Sequence, residues 1–107
     1  MLYLKVKKNA DFQRIFKKGK RVYSSAVTVI YYPSDQLKMG IAISKKYGKA
    51  VRRNRIKRLL RQAFYNTCAE LNRPCVIILM PKISEEYSLS SFERSLRICY
   101  ARMNKCA

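Results

Sequence analysis

The sequence predicts an α+β fold, a single-domain α/β sandwich in which helices pack on a small mixed sheet. Amphipathic helical segments alternate with short runs of β-branched and aromatic residues, which gives the element order α-β-β-(β)-α-β-α. The chain has 107 residues and is 49% hydrophobic, enough for one core of modest size. No repeat, linker or low-complexity segment interrupts this order, so residues 1–107 are predicted to form one domain.

The first helix is predicted over Ala10–Lys18. Asn9 is a favourable N-cap, and Gly19 is a favourable residue just past the last turn. The apolar side of this helix consists of Phe12, Ile15 and Phe16.

Strands are expected on both sides of the turn at Pro33-Ser34-Asp35. The segment Arg21–Tyr32 ends in VTVIYY and forms one strand or two, and Leu37–Ser44 follows the turn. Because the turn is short, these segments are expected to pair as an antiparallel hairpin. The apolar run Cys75–Met80 suits a strand buried on both faces, and Pro81 ends it.

Between these strands lies a helix predicted from about Val51 to about Leu71. Its apolar residues recur with helical spacing and form one stripe: Ile56, Leu59, Leu60, Ala63 and Phe64. A second stripe on the opposite side is polar or aromatic: Asn54, Lys57, Arg58, Arg61 and Tyr65. One face is therefore expected to pack on the core and the other to face outward.

The last helix is predicted to begin at a capping box, with Ser90 as the cap and Glu93 reaching back. Five residues share its apolar face: Phe92, Leu96, Cys99, Tyr100 and Met103. Three arginines point away from that face: Arg94, Arg97 and Arg102.

The charge pattern indicates a polyanionic partner. The chain carries a formal net charge of +18, and its segment KKYGKAVRRNRIKRLLR (residues 45–61) is basic throughout. No acidic residue occurs between Asp35 and Glu70. A solvated surface helix usually mixes both signs of charge, whereas this outward stripe is expected to bind the phosphates of a nucleic acid.

Other charge-driven partners are disfavoured. No segment has the roughly 18 apolar residues needed to span a bilayer. The N-terminal segment MLYLKVKKNADF lacks the apolar run of a signal peptide, so a cytoplasmic location is expected. The four cysteines lack the close pairing of zinc ligands and are expected to be free thiols: Cys68, Cys75, Cys99 and Cys106.

A catalytic centre is not expected in the polypeptide. The chain has no His, and its six acidic residues are scattered. Glu85-Glu86 is the only adjacent acidic pair and lies in a segment rich in turn formers, where solvation is its expected role. A two-metal nuclease needs several carboxylates that converge on one point.

The aromatic residues leave two interpretations open. Alternation places Thr28, Ile30 and Tyr32 on one face of the VTVIYY strand, which is either core or a platform for unpaired bases. Spacing alone favours core positions for Phe12 and Phe16.

Two motifs resemble the protein component of bacterial ribonuclease P. The first is Asp11-Phe12-x-x-x-Phe16-x-x-Gly19. The second is Ser44-Lys45-Lys46-x-Gly48-x-Ala50-Val51-x-Arg53-Asn54-Arg55-x-Lys57-Arg58-x-x-Arg61. The match in order and spacing extends from about Lys8 to about Tyr100, and the second motif is long enough to be specific.

The resemblance implies a protein subunit that binds a catalytic RNA and assists removal of the 5′ leader from precursor tRNA. It implies a left-handed β-α-β crossover, against the usual rule. The residues expected to contact the catalytic RNA are Lys45, Lys46, Arg52, Arg53, Asn54, Arg55, Lys57, Arg58 and Arg61. The residues expected in a leader-binding cleft are Phe12, Phe16, Ile30, Tyr32, Lys8 and Arg14. The family commonly has a tyrosine where this chain has Ile30.

The resemblance also implies that the RNA performs the hydrolysis with Mg²⁺ and that the protein alone is inactive. Its partners are then the catalytic RNA and precursor tRNA, with no membrane and no obligatory protein partner. A ribosomal or other structural RNA-binding protein would also fit the charge and size. A helix-turn-helix DNA-binding protein fits less well, because strands are predicted on both sides of the basic helix.

Overall fold

The structure, a computed structural model, describes residues 4–6 and 9–105 and contains one five-stranded sheet. The strands are β1 (Leu4–Lys5), β2 (Lys20–Tyr23), β3 (Val27–Pro33), β4 (Lys38–Ile41) and β5 (Cys75–Pro81). The α-helices are α1 (Asn9–Lys18), α2 (Ala50–Thr67) and α3 (Leu89–Lys105), and 3-10 turns cover Lys45–Tyr47 and Cys68–Glu70. The predicted element order is confirmed, with the short β1 in front of it. No described helix is long and apolar enough to cross a membrane.

The sheet is mixed, and its strand order is β1-β4-β5-β3-β2. β3 pairs antiparallel with both β2 and β5, whereas β4 pairs parallel with β1 and β5. The predicted hairpin across Pro33-Ser34-Asp35 is therefore wrong, since β5 lies between β3 and β4. β5 is buried on both faces and takes the central place that such a strand needs. The adjacent hairpin is instead β2–β3, within the segment that was expected to be one strand or two.

The parallel pairing of β4 with β5 makes β4-α2-β5 a crossover unit, because parallel neighbours need a long connection. The basic helix is that connection. The left-handed sense implied by the resemblance stays a prediction.

The two faces of the sheet carry two separate clusters of apolar side chains. On one face α2 and α3 pack against alternate strand residues, including Val29 and Ile77. On the other face Ile15 of α1 packs with Ile30 and Ile78. The sheet is thus covered by two helices on one side and by the ten-residue α1 on the other.

Two helix ends differ from their predicted chemistry. α3 begins at Leu89, where the Ser88 hydroxyl accepts a hydrogen bond from the Ser91 backbone N–H at 3.3 Å. The capping box at Ser90 is therefore wrong, because Ser90 lies inside the helix. Gly19 ends α1 without a left-handed conformation. An added Cβ there would lie 2.6 Å from the Ile15 carbonyl oxygen, so close packing explains this glycine.

Candidate nucleic-acid interface

The basic helix α2 is oriented as its periodicity predicted. Ile56, Leu60, Ala63 and Phe64 are buried, and Leu59 is half-buried against the same core. On the opposite side, four residues of the predicted stripe are exposed: Asn54, Arg58, Arg61 and Tyr65. The fifth, Lys57, is half-buried. The buried stripe fixes the helix to the sheet, so its cationic face has a defined orientation.

The cations on this face are not neutralised within the protein. Arg97–Glu70 is the one ion pair among the side chains that the structure describes (residues 5–6 and 12–105), and it joins the 3-10 turn after α2 to α3. Within that part of the chain, no hydrogen bond or ion pair occupies the side chains of Arg55, Lys57, Arg58 or Arg61. Free, closely spaced cations on a rigid helix suit the regular phosphates of RNA.

Arg52, one of the predicted contact residues, also makes contacts within the protein. One terminal nitrogen donates hydrogen bonds to the backbone carbonyls of Ser84 at 2.6 Å and Glu85 at 2.9 Å. The guanidinium carbon also lies 5.3 Å from the centre of the Tyr87 ring. Arg52 therefore fixes the loop between β5 and α3 to the first turn of α2, and its contacts are intramolecular. The spacing of residues in the sequence does not predict these bonds, because the loop lies about thirty residues after Arg52.

Arg53 is half-buried, and its Nε donates a hydrogen bond to the Gly48 carbonyl at 3.2 Å. That bond holds the turn in front of α2. Gly48 has φ of 116°, a conformation that L side chains rarely adopt. The other N–H groups of Arg53 stay available for a phosphate.

The segment before α2 adds two further cations. Lys45 and Lys46 are exposed on the 3-10 turn, and Lys46 Nζ lies 5.7 Å from the centre of the Tyr47 ring. Tyr47 is buried and donates a hydrogen bond to the Pro81 carbonyl at 2.6 Å. Burial raises the pKa of the Tyr47 hydroxyl, which stays a donor at neutral pH. This bond fixes the turn to the end of β5.

The first turn of α2 has no side-chain cap. Lys49 occupies the N-cap position and makes no side-chain capping bond, and no acidic residue lies in the first turn. The leading backbone N–H groups and the helix dipole therefore favour an anion here, beside Lys45 and Lys46.

On the opposite side of the sheet, α1 carries the aromatic residues of the predicted cleft. Phe12 and Phe16 are half-buried and their ring centres lie 6.4 Å apart. The Phe12 ring lies over Gly40 of β4, where an added Cβ would be 2.7 Å from Phe12 Cζ. Both rings therefore pack on the sheet at one edge and keep the other edge exposed, and their role in binding stays a prediction.

Ile30 is fully buried beneath α1, which corrects its predicted place among the contact residues. It packs with Ile15 and Ile78 and forms the floor under the helix. Tyr32 follows on the same strand face and is 40% exposed, so it offers the aromatic surface that Ile30 lacks. Lys8 lies outside the described residues.

A pocket of about 250 Å³ lies beside Tyr32 at the end of β3. Arg14 of α1 and Lys38 of β4 line it, together with the apolar side chains of Val6, Ile15 and Val76. Tyr32 and Arg14 are thus brought together as predicted. Lys38 was not among the predicted cleft residues, although period-two alternation places it on the same face of the strand as Gly40.

The polar groups of the described chain do not form a metal site. No group of three or more His, Cys, Asp or Glu side chains in the described residues is arranged to hold a metal ion. Cys68, Cys75 and Cys99 are buried free thiols, as predicted, and Cys106 lies outside the described residues. Burial raises the pKa of all three, to about 11 for Cys75, so they are neutral core residues.

Comparisons with known proteins agree with this geometry. The model of the Ribonuclease P family matches residues 3–104. The ribonuclease P protein component of Bacillus pumilus is 38% identical over 98 residues, covering 87% of this chain and 82% of that protein. The component from Macrococcus caseolyticus is 35% identical and covers 86% and 83%.

Solved structures give the same result. The Staphylococcus aureus RNase P protein superposes with a TM-score of 0.78 at 33% identity, covering 94% of each chain. The RNase P protein from Thermotoga maritima has a TM-score of 0.81 at 26% identity, covering 92% of this chain and 96% of that one. By family model, sequence and structure, this chain belongs to the ribonuclease P protein family.

Proposed function

We propose that the protein is the RNA-binding subunit of a ribonuclease P in which the RNA subunit cleaves precursor tRNA. The exposed face of α2 and the turn before it bind the catalytic RNA. The cleft between α1 and the sheet binds the single-stranded 5′ leader. The observation that carries the proposal is the row of unpaired cations on α2, which the apolar stripe on the opposite face of the helix holds in place.

The two surfaces lie on opposite sides of the sheet. α2 and α3 cover one face, while Phe12, Phe16 and Tyr32 lie on the other. A protein built in this way can hold two RNA segments at a fixed separation, which raises the effective concentration of one at the other. This supports a positional role in the cleavage.

In this proposal Mg²⁺ belongs to the RNA subunit. The described carboxylates do not converge, and the free groups of the protein are cations. The protein then acts by lowering repulsion between crowded phosphates, to which divalent ions bind. The proposal places it in the cytoplasm with the RNA as its one required partner.

The test is the salt dependence of binding to a candidate catalytic RNA. The double variant Arg58→Ala/Arg61→Ala is expected to flatten the slope of log affinity against log salt by roughly one to two units. Both residues are exposed, so the fold should be retained. Arg94→Ala/Lys105→Ala is the matched control, since it removes the same charge from exposed positions on α3.

A slope unchanged in the folded Arg58→Ala/Arg61→Ala variant would remove α2 from the interface. Equal changes in the two double variants would indicate non-specific attraction by net charge. The alternative of a ribosomal or structural RNA-binding protein predicts that a ribosomal RNA, rather than one RNA of ribozyme size, co-purifies.

A further inference from the structure

A second pocket lies where β3 ends, on the side of the sheet that α2 and α3 cover. Its volume is about 280 Å³. Its walls are mostly apolar and come from β3, β5, α3 and the α2–β5 connection: Tyr31, Pro33, Leu71, Pro74, Cys75 and Met103. This volume is just below the ~300–1,000 Å³ of sites for drug-sized ligands, so it suits one planar ring system.

Two exposed cations, Lys20 and Arg73, line the pocket. Neither side chain makes a hydrogen bond or ion pair with another described residue. The pocket has no acidic lining residue among those described, and the Asn104 amide is occupied by the backbone of Asn72 and Glu70. An apolar cavity with free cations at its edge is complementary to a neutral ring that is joined to a negatively charged group such as a phosphate.

The pocket adjoins the cleft at the end of β3. Pro33 and Ser34 line both this pocket and the pocket beside Tyr32. Because successive strand residues point to opposite faces, Tyr31 faces the second pocket and Tyr32 faces the cleft. A strand that leaves the cleft past Tyr32 therefore reaches the second pocket by crossing Pro33-Ser34.

We propose that this second pocket binds one unpaired nucleotide of the RNA strand that occupies the cleft. The base enters the apolar cavity, and its phosphate lies between Lys20 and Arg73. The inference rests on the proposed function, in which the cleft binds the leader. It adds a subsite beyond the cleft and predicts that leader affinity depends on length.

The carboxylates near the pocket do not oppose an anionic ligand. Two carboxylates lie near the pocket in sequence, and one of them, Glu70, is paired with Arg97. The other, Asp35, is exposed and accepts a hydrogen bond from Ser34 at 3.5 Å. The Ser34–Asp35 turn thus borders the path between the two pockets without closing the second one. Asp35→Asn removes a negative charge beside this path and is expected to strengthen RNA binding slightly.

The experiment measures binding of single-stranded RNA oligonucleotides, from three to about twelve nucleotides, to the full-length protein. For wild type, affinity is expected to rise with length in two stages, first in the cleft and then in the second pocket. Lys20→Ala/Arg73→Ala should bind the shortest oligonucleotides like wild type. For the longest ones it should lose roughly three- to tenfold in affinity, because the contact with one phosphate is lost. Lys82→Ala/Arg94→Ala matches the change in net charge at exposed positions outside the pocket.

Phe16→Ala separates this inference from the proposed function. It should weaken binding at every length, because Phe16 lies in the cleft. If Phe16→Ala weakens binding but Lys20→Ala/Arg73→Ala matches the control at all lengths, the second pocket is not an RNA subsite. If Phe16→Ala folds and has no effect on binding, both the proposal that the cleft binds the leader and the inference of a second subsite are wrong. A 4-thiouridine near the far end of the longest oligonucleotide should crosslink to residues 71–75, and crosslinking elsewhere would overturn the path.

Discussion

At the scale of single residues, Gly40 shows how a missing side chain sets the position of an aromatic ring. The Phe12 ring occupies the space that a Cβ would need, at 2.7 Å from Phe12 Cζ. Ile78 Cδ1 closes the other side at 3.1 Å. Phe12 therefore has its position because β4 has no side chain at that point. This relation joins two segments distant in sequence, and no local pattern predicts it.

Gly40→Ala is accordingly expected to displace the Phe12 ring. Overpacking a tight site costs typically about 1–3 kcal/mol, so the free energy of unfolding should fall by this order. Affinity for precursor tRNA should fall as well, with mature tRNA nearly unaffected. Both can be measured by urea unfolding and direct binding.

The double variant Gly40→Ala/Phe12→Leu is the control for this prediction. Leu at position 12 should relieve the crowding and restore stability without restoring leader affinity. The effects of the two substitutions on the free energy of unfolding should therefore be non-additive. Additive effects on stability would show that Phe12 and Gly40 are not coupled.

The Cys75 thiol gives a prediction about pH. Burial raises its pKa from 9.0 to about 11, so between these values the folded state holds a proton that the unfolded state has released. Stability linked to Cys75 is therefore complete below pH 9 and falls as pH rises towards 11, by up to about 1.4 kcal/mol per pH unit. The difference in free energy of unfolding between wild type and Cys75→Ala should narrow over this range. A constant difference from pH 8 to 11 would contradict a buried neutral thiol.

At the scale of elements, periodicity predicted burial well and pairing badly. The stripe of α2 and the apolar face of α3 are buried as expected, because helical spacing reports directly which side faces the core. The hairpin of β3 with β4 is wrong, because spacing within a strand does not identify its neighbour. The neighbour of β3 could have been inferred from β5, because a strand that is apolar on both faces takes a central place in the sheet.

Helix α2 combines two kinds of arginine that the sequence cannot distinguish. Arg52 is bonded to the β5–α3 loop, whereas Arg58 makes no hydrogen bond or ion pair with another described residue. The predicted contact residues of the catalytic RNA therefore include at least one that stabilises the fold. The difference depends on the position of Ser84 and Glu85, which only the tertiary structure gives.

Arg52→Lys and Arg58→Lys test this division, because both keep the charge. Lysine lacks the planar fork of arginine, so Arg52→Lys should lose much of the bonding to Ser84 and Glu85 and the contact with Tyr87. We expect a loss of about 1–2 kcal/mol in the free energy of unfolding for Arg52→Lys, little for Arg58→Lys, and unchanged salt slopes for both. Urea unfolding and salt titration measure these quantities. Equal stability of the two variants would make Arg52 an ordinary surface cation.

At the scale of the whole molecule, the net charge and the arrangement of surfaces determine what the protein can do. The sequence alone predicted a polyanionic partner from +18 charges and a cationic helix. It did not reveal that the pocket beside Tyr32 and the one beside Tyr31 meet at Pro33-Ser34, since that follows from the sheet order. The molecule presents cations on α2, at the cleft and at the end of β3, so RNA can contact it from several directions.

This arrangement predicts that no protein carboxylate is essential for cleavage. The acidic residues of the chain are Asp11, Asp35, Glu70, Glu85, Glu86 and Glu93. The described contacts of Glu70 and Glu93 are structural: Glu70 pairs with Arg97, and Glu93 accepts a hydrogen bond from Asn66 at 2.9 Å. A group that stabilises only the fold changes the amount of folded protein, whereas a catalytic group changes the rate of each assembled complex.

Replacing each acid in turn by Asn or Gln should therefore leave the cleavage rate of the reconstituted holoenzyme within about tenfold, roughly 1.4 kcal/mol in activation free energy. The rate should be measured at saturating protein and at both low and high Mg²⁺, because Mg²⁺ can replace part of the protein's screening of phosphates. Glu70→Gln and Glu93→Gln should lower stability by less than about 1 kcal/mol, as expected for exposed contacts. A folded single variant that lost cleavage by several orders of magnitude at both Mg²⁺ concentrations would assign a catalytic carboxylate to the protein. Cleavage of precursor tRNA by the protein without RNA would do the same, and either result would overturn the division of labour proposed here.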